Sequence, residues 1–132
     1  MAWSTTIIAP PDGGMRHYLS SLEKLLARTD KIFWPGHGGP VKEPQSYVQA
    51  LIKHRREREN AILSCIKSGH ATIDAIVAHV YHGLDPALKI AAAYSVLAHI
   101  EDLAERGLVR CQGPLALGSA FRSAANKAST SY

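Results

Sequence analysis

The most informative segment of this 132-residue chain reads Asp85-Pro-Ala-Leu-Lys-Ile-Ala-Ala-Ala-Tyr-Ser-Val-Leu-Ala-His-Ile-Glu-Asp-Leu-Ala-Glu-Arg-Gly107. Asp followed by Pro is a helix-start signal, apolar residues then recur at spacings of three and four, and a glycine ends the run. The pattern predicts a helix of about five turns. Beyond it, the strand-like stretches 108–111 and 119–122 flank a turn containing Gly113-Pro114 and predict a β-hairpin.

Two further helices are predicted before this segment. Residues 45–68 contain neither Gly nor Pro and carry apolar residues along one face, which predicts one long helix. Thr72 then precedes a second apolar run that should stop by Gly83. Three helices followed by a hairpin are typical of a winged-helix domain, which we place, with the long helix, over residues 45–122.

The first 44 residues follow a different pattern. The β-prone stretches Trp3–Ala9 and Lys31–Trp34 flank a leucine-rich helical pattern over residues 15–28, for which Asp12 is available as a cap. This order predicts strand, helix, strand. Because two strands cannot bury both faces of a sheet, we expect residues 1–44 to be a remnant of a larger layer whose other elements lie upstream. The fold class is then α+β and mainly helical, with a flexible tail over residues 123–132.

Composition places the chain among ordinary folded proteins. Hydrophobic residues make up 46% and charged residues 20%, and the formal net charge of +4 permits, without requiring, contact with nucleic acid. Only Cys65 and Cys111 occur, outside any Cys-x-x-Cys spacing. No stretch resembles a transmembrane helix or a signal peptide, so we expect a soluble, cytoplasmic protein without a membrane partner.

The local motif with chemical content is Trp34-Pro-Gly-His-Gly38. Flanking glycines let the backbone turn sharply and leave the His37 imidazole free to point into a cleft, as a metal ligand requires. A turn histidine without a ligand is the alternative, because a single imidazole cannot hold a metal ion by itself.

The motifs together resemble the carboxy-terminal portion of a metallo-β-lactamase-fold hydrolase with an appended winged-helix domain. The resemblance covers roughly residues 1–112. It rests on Trp3-Ser-Thr-Thr-Ile-Ile-Ala-Pro-Pro-Asp12, Pro35-Gly-His-Gly38, His54-Arg55, Arg58-Glu59 and Glu101-Asp-Leu-Ala-Glu-Arg-Gly107. It implies that residues 1–44 are a partial strand-helix-strand remnant of the metallo-β-lactamase fold.

The resemblance also implies a chemistry. The family holds two metal ions, usually zinc, with a His-x-His-x-Asp-His motif, a later His, a bridging Asp and a final His, which His37 matches. A metal-activated water attacks an ester, thioester or phosphodiester. No His-x-His-x-Asp-His occurs here. We therefore expect this chain alone to be inactive and to bind no zinc tightly, and we expect a separate amino-terminal catalytic half as its partner.

A second group of candidate residues lies on the long helix. His54 and Arg58 are one turn apart, with Arg55 beside them, and relatives bring this helix near the active-site mouth. These three residues are candidates for binding an anionic substrate such as RNA phosphate, and a solvated helix face is the alternative. The remaining histidines are interpreted as surface or core residues, namely His17, His70, His79, His82 and His99.

Other functions stay open. The chain could be a stand-alone winged-helix module that binds protein, or nucleic acid through Lys53, Arg55, Arg56 and Arg58, although its third helix carries few cations. It could form a homodimer. It could also be an incomplete gene model in which Met1 is an internal methionine. The sequence does not fix the substrate, the metal or the oligomeric state.

Overall fold

The computed structural model of the chain describes residues 6–124, and it is mainly helical with one small sheet. In chain order the elements are α1 (Met15–Leu26), α2 (Pro44–Lys67), α3 (Ile73–Val80), a 3₁₀ turn (Pro86–Leu88), α4 (Lys89–Glu105), β1 (Val109–Gln112) and β2 (Ala120–Ser123). The predicted fold class is confirmed. None of the helices within residues 6–124 is long and apolar enough to cross a membrane.

Local signals place the helix ends of the winged helix. The Thr72 hydroxyl accepts a hydrogen bond from the Ala75 amide at 3.3 Å, so it caps α3. The Asp85 carboxylate accepts from the Ala87 amide at 2.9 Å and starts the 3₁₀ turn that leads into α4. After α4 the chain reverses at Gly107, whose φ of 73° strongly favours glycine.

The hairpin is antiparallel and completes the winged helix. β1 pairs with β2 in a register that places Cys111 opposite Phe121, and each strand begins one residue later than the sequence pattern predicts. The Phe121 amide donates to the Ala71 carbonyl at 2.7 Å. This bond fastens β2 to the segment that precedes α3, so the wing and the helices form one unit.

The main hydrophobic core lies inside this unit. Its fully or nearly fully buried members come from the second half of α2, from α3 and α4, and from both strands, and they are Ile62, Cys65, Ile66, Ile73, Ile76, Val77, Ala92, Val96, Leu97, Ile100, Leu103, Val109 and Phe121. Each element contributes the apolar positions that its helical or strand period places on one face.

The region before α2 is less regular than the sequence predicts. The strand predicted over residues 31–34 is reduced to one bridge, in which Phe33 and Val41 exchange two backbone hydrogen bonds. The strand predicted over 3–9 lies partly outside the described residues, and residues 6–9 are not in a strand. A strand needs a neighbouring strand to pair with, and within residues 6–124 the only pairing of these stretches is the Phe33–Val41 bridge.

The helix predicted over 15–28 is α1, but its cap differs from the prediction. Gly14 occupies the N-cap position and no side chain caps the helix, so Asp12 does not have the predicted role. Ser123 ends β2 rather than beginning the predicted tail, and residues 125–132 of that tail lie outside the described part of the chain.

Helix α2 joins the two regions. Its first half packs Val48 and Ile52 against Leu22 of α1, while its second half enters the winged-helix core. The domain boundary predicted near residue 44 therefore lies at the start of a helix that packs against both α1 and the winged-helix core. Side chains near the middle of α2, including His54, Arg55 and Arg58, lie at this junction.

Candidate functional site

The His37 turn projects from the structure as a glycine-rich loop. Phe33 and Val41 are joined by N–H···O bonds of 3.0 and 2.9 Å, which close the loop at its base. Gly38 has a φ of 90°, a conformation that favours glycine, and the His37 side chain is exposed. The imidazole is therefore accessible to a ligand from outside the chain.

His37 lies without the further ligands that a zinc site requires, as far as residues 6–124 are concerned. Within residues 6–124, no group of three or more His, Cys, Asp or Glu side chains is arranged to hold a metal ion. A protein zinc site needs three or four ligands. The described residues around His37 therefore do not form a complete metal site.

Arg55, one of the predicted substrate-binding residues, points inward. Only 3% of it is exposed, its Nη2 donates a hydrogen bond to the Thr6 carbonyl, and its guanidinium lies 5.2 Å from the centre of the Tyr18 ring. The charge is thereby partly satisfied by a carbonyl dipole and an aromatic face. Arg55 ties the middle of α2 to α1 and to the segment that precedes it.

Arg58 performs a similar function one turn further along α2. Its Nη1 donates to the Val80 carbonyl at 3.0 Å, and its guanidinium lies 4.2 Å from the centre of the Tyr81 ring. A cation at the end of α3 also interacts favourably with the helix dipole. Burial raises the pKa of the Tyr81 phenol, so this ring remains neutral.

His54, the third predicted substrate-binding residue, is half-buried beside these two arginines. Burial lowers the pKa of its imidazole, and the charges of Arg58 and Arg55 lower it further. His54 is therefore held in the neutral form near pH 7. The structure brings His54, Arg55 and Arg58 together, while substrate binding by them stays a prediction.

His99 on α4 belongs to the same junction, although its sequence pattern indicates no role there. It is 0% exposed, and neither ring nitrogen has a hydrogen-bond partner. Burial lowers its pKa to about 3, with further contributions from Arg55, Arg58, His54 and Arg106. Its spacing from Val96 and Leu103 marks a core position, but Arg55 and Arg58 come from another helix, α2, so their proximity to His99 leaves no local sequence signal.

Carboxylates pair with two further arginines at this junction, Arg16 and Arg106. Asp102 is 8% exposed and lies between Arg16 of α1, at 3.3 Å, and Arg106, at 3.0 Å. Arg106 also contacts Glu59 of α2 at 2.7 Å. These ion pairs connect α1, α2 and α4. The junction is thus an interface of ion pairs and hydrogen bonds that holds residues 6–44 against the winged helix.

Comparisons with known proteins agree with this architecture. Residues 72–114 match the β-lactamase-associated winged helix domain. The chain is 34% identical over 96 residues to a β-lactamase-like protein 2 homologue of Drosophila melanogaster, and 28% identical over 97 residues to its Caenorhabditis elegans counterpart. These matches cover 70% and 72% of this chain but only 33% and 32% of the relatives.

Solved structures extend the similarity to most of the fold. A metallo-β-lactamase family protein from Thermus thermophilus superposes with a TM-score of 0.68 at 25% identity, over 83% of this chain and 33% of that one. A β-lactamase domain protein from Burkholderia ambifaria superposes with a TM-score of 0.70 at 19% identity, over 80% of this chain and 32% of that one, and shows the fold alone.

This chain spans about a third of the length of the relatives that it matches. In sequence and in fold, the chain is similar to the carboxy-terminal, winged-helix-containing part of metallo-β-lactamase-like proteins.

Proposed function

We propose that this chain is the carboxy-terminal part of a metal-dependent hydrolase, in which His37 supplies one metal ligand. The complete protein would hydrolyse an ester, thioester or phosphodiester, and zinc is the metal that the family resemblance favours. The other ligands would come from an amino-terminal part that lies outside these 132 residues. The isolated chain would then be inactive.

The observation that carries this proposal is the placement of His37. Its glycine-rich turn follows an extended segment, is closed by the Phe33–Val41 bridge and leaves the imidazole exposed. A histidine whose metal site is completed by another part of the polypeptide must be accessible in this way. Histidines with a purely structural role are instead usually buried and hydrogen-bonded. His99, which is 0% exposed, shows by contrast a fully buried histidine in the same molecule.

In this proposal the junction residues position the site. Arg55 holds the Thr6 carbonyl, and Arg58 holds the Val80 carbonyl, so α2 fixes both the segment before α1 and the end of α3. An anionic substrate that approached Arg55 would compete with these internal contacts. The positioning function therefore has more support than direct substrate binding.

The nucleic-acid alternative has weaker support. Of the four cations that it requires, Arg55 and Arg58 are directed into the junction, and Lys53 lies 3.8 Å from Glu57. Exposed, unengaged cations give a protein its affinity for phosphate backbones. Salt-sensitive binding of single-stranded RNA that is lost in Arg56→Glu would nevertheless favour this alternative over hydrolysis.

A chimera tests the proposed function. The matched portion of the Drosophila relative is replaced by this chain, and zinc content is measured together with hydrolysis of p-nitrophenyl acetate and bis(p-nitrophenyl) phosphate. We expect zinc and activity in the chimera, and we expect His37→Ala to lose metal and hydrolysis. His82→Ala, at an exposed position of the winged helix, is the control that retains both.

Two results would contradict the proposal. Full zinc content and activity in the His37→Ala chimera would remove His37 from the site. A chimera that folds, as judged by circular dichroism, but contains no metal would exclude a metal-dependent reaction for this combination. The unmodified Drosophila relative, measured in parallel, shows whether the assay detects metal and hydrolysis at all.

A further inference from the structure

Three histidines of the winged helix lie close together near the carboxyl ends of α2 and α3. The ring centroids of His70 and His79 are 4.8 Å apart, with the ring planes tilted by 43°, and the centroid of His82 lies 5.9 Å from that of His79. His79 and His82 are exposed, and His70 is half-buried. The hydrolysis proposed above does not use these imidazoles, so their proximity requires its own explanation.

The His70 ring is fixed by the turn that ends α2. Its Nδ1 lies 3.2 Å from the Cys65 carbonyl oxygen, and its backbone amide donates to the same oxygen at 3.0 Å. Because a carbonyl oxygen can only accept, Nδ1 carries the ring proton and Nε2 keeps its lone pair. Histidines that ligate metal ions usually donate their other ring N–H to a carbonyl or carboxylate in this way. His70 is therefore held in the tautomer that a metal ligand needs.

The separation of the His70 and His79 rings matches two imidazoles that share one metal ion. A metal–nitrogen distance of about 2.0 Å places each ring centroid about 3 Å from the ion, so neighbouring imidazole ligands have centroids about 4.5 to 5 Å apart. The 4.8 Å between His70 and His79 lies in this range, whereas the 5.9 Å between His79 and His82 lies beyond it. No three His, Cys, Asp or Glu side chains among residues 6–124 are arranged to hold an ion. The arrangement therefore consists of two imidazoles.

A cavity of about 410 Å³ opens beside this pair. His70 and His79 line it together with Ser64 and Ser68, which are sources of oxygen ligands. The lining residues come from the carboxyl ends of α2 and α3. The carboxyl end of a helix is the negative end of its dipole and favours a cation. The surroundings of the two imidazoles thus suit a positively charged ligand.

We propose that His70 and His79 form a two-imidazole site for Ni²⁺ or Cu²⁺, with oxygen ligands in the remaining positions. Imidazole nitrogen and oxygen donors in a square-planar or tetragonal arrangement suit these two ions. Zinc instead needs three or four ligands, and residues 6–124 do not provide such a set here. The inference does not depend on the hydrolase activity proposed above.

Arg58 is the charged residue that opposes a cation in this cavity, and it raises the alternative of an anion site. Its Nη1 donates to the Val80 carbonyl at 3.0 Å, and its guanidinium lies 4.2 Å from the centre of the Tyr81 ring. The charge of Arg58 is thus already engaged inside the protein. An anion would also face the negative ends of two helix dipoles. A cation is therefore the better occupant, and inorganic phosphate serves as the competing probe.

Calorimetric titration of the untagged chain with NiCl₂ tests this inference. The chain carries His37→Ala, which removes the exposed imidazole of the glycine-rich turn as a competing ligand. We expect one Ni²⁺ per chain. His70→Ala or His79→Ala should weaken binding by at least about tenfold, because each variant removes one of the two imidazoles. His17→Ala, at an exposed position of α1, is the matched control and should bind Ni²⁺ unchanged.

Nuclear magnetic resonance of the imidazole groups adds a second readout. Nδ1 of His70 should be protonated in the metal-free chain, and paramagnetic Ni²⁺ should broaden the His70 and His79 signals first. Circular dichroism checks that each variant folds, and His79→Gln replaces His79→Ala if the alanine variant does not.

Three results would overturn the inference. The first is Ni²⁺ binding that is unchanged when His70 or His79 is replaced. The second is broadening that begins at other histidines. The third is binding of inorganic phosphate, abolished by the same replacements, in a chain that does not bind Ni²⁺, because the cavity would then be an anion site.

Discussion

The winged-helix region and residues 6–44 differ in how completely they bury their apolar side chains. In the winged helix, Ile62, Ile76 and Val96 are 0% exposed and share one core. In residues 6–44, Ile32 and Trp34 are 45% and 79% exposed. The comparison teaches that the winged helix buries its large apolar side chains with its own elements, whereas residues 6–44 leave some of theirs exposed.

The junction between the two regions explains how the second one is held. Residues 6–44 have only two small apolar clusters, one around Met15 and one around Leu22, and both borrow residues from α2 or α4. Arg55 and Asp102 supply polar links across the same junction. The first region therefore depends on the winged helix, and we expect the reverse dependence to be weak.

The largest expected effect comes from opening the winged-helix core. Leu103→Ala should lower the free energy of unfolding by about 3 to 4 kcal/mol, because it leaves a cavity at a fully buried position. Leu25→Ala, at a 39% exposed position of α1, should change the free energy of unfolding by less than about 0.5 kcal/mol. Urea denaturation followed by circular dichroism measures both variants. Equal losses of unfolding free energy in the two variants would contradict the difference in burial between the two regions.

The next largest loss of stability is expected from removing the Arg55 contacts at the junction. Arg55→Met should cost about 3 kcal/mol, because it leaves the Thr6 carbonyl without its donor and removes the contact with Tyr18. Hydrogen exchange should show lost protection in α1 and retained protection in α3. Arg56→Met, at the exposed neighbouring position, is the matched control. Lost protection throughout the winged helix would contradict a one-way dependence.

Acid should weaken the junction through His99. Its pKa is about 3 in the folded chain and near 6.5 when unfolded, so the unfolded state binds more protons below pH 6.5. Stability is complete above that pH and falls as the pH decreases towards 3, with a loss of about 2 kcal/mol at pH 5. The lowered pKa of His54 acts in the same direction. Urea midpoints at pH 7.5 and pH 5 measure the loss.

The variant His99→Met isolates this contribution from that of the carboxylates. Between pH 7.5 and pH 5, the free energy of unfolding of this variant should decrease by less than that of the parent chain. His82→Ala, at an exposed position, should show the same decrease as the parent chain. An unchanged pH dependence in His99→Met would show that the buried imidazole is not the responsible group.

The smallest effect is expected from the ion pairs that border the junction. Arg106 contacts Glu59 and Asp102 but is 39% exposed, so Arg106→Gln should cost only about 1 kcal/mol. The cost should shrink as NaCl is added, because exposed charges are screened. Thermal unfolding at low and high salt provides the measurement. A large cost that salt does not change would indicate a buried structural contact instead.

Much of the winged helix could be predicted from sequence because its signals are local. The Thr72 cap, the Asp85-Pro86 start and the Gly107 stop each act within a few residues of the helix end that they define. The amphipathic period of α2 likewise predicted its extent to within one residue at either end. Such features do not depend on partners that are distant in the chain.

The junction and the first region could not be predicted in the same way. Arg55 is spaced like a residue on a solvated helix face, and only its contact with Thr6, 49 residues away, makes it an interior residue. The strands expected at 3–9 and 31–34 have the correct composition, but strand formation requires a neighbour that composition cannot supply. The sequence identified His37 as a candidate, and its exposure in the structure agrees with that role without testing it.

Hydrogen exchange followed by mass spectrometry on the 132-residue chain tests the central claim most directly. The account predicts strong protection in α3, α4 and β1, weaker protection in α1, and the least protection in residues 31–41. Slow exchange in residues 31–41, equal to that of α4, would contradict it, because that segment would then be as fully paired and covered as the winged-helix core.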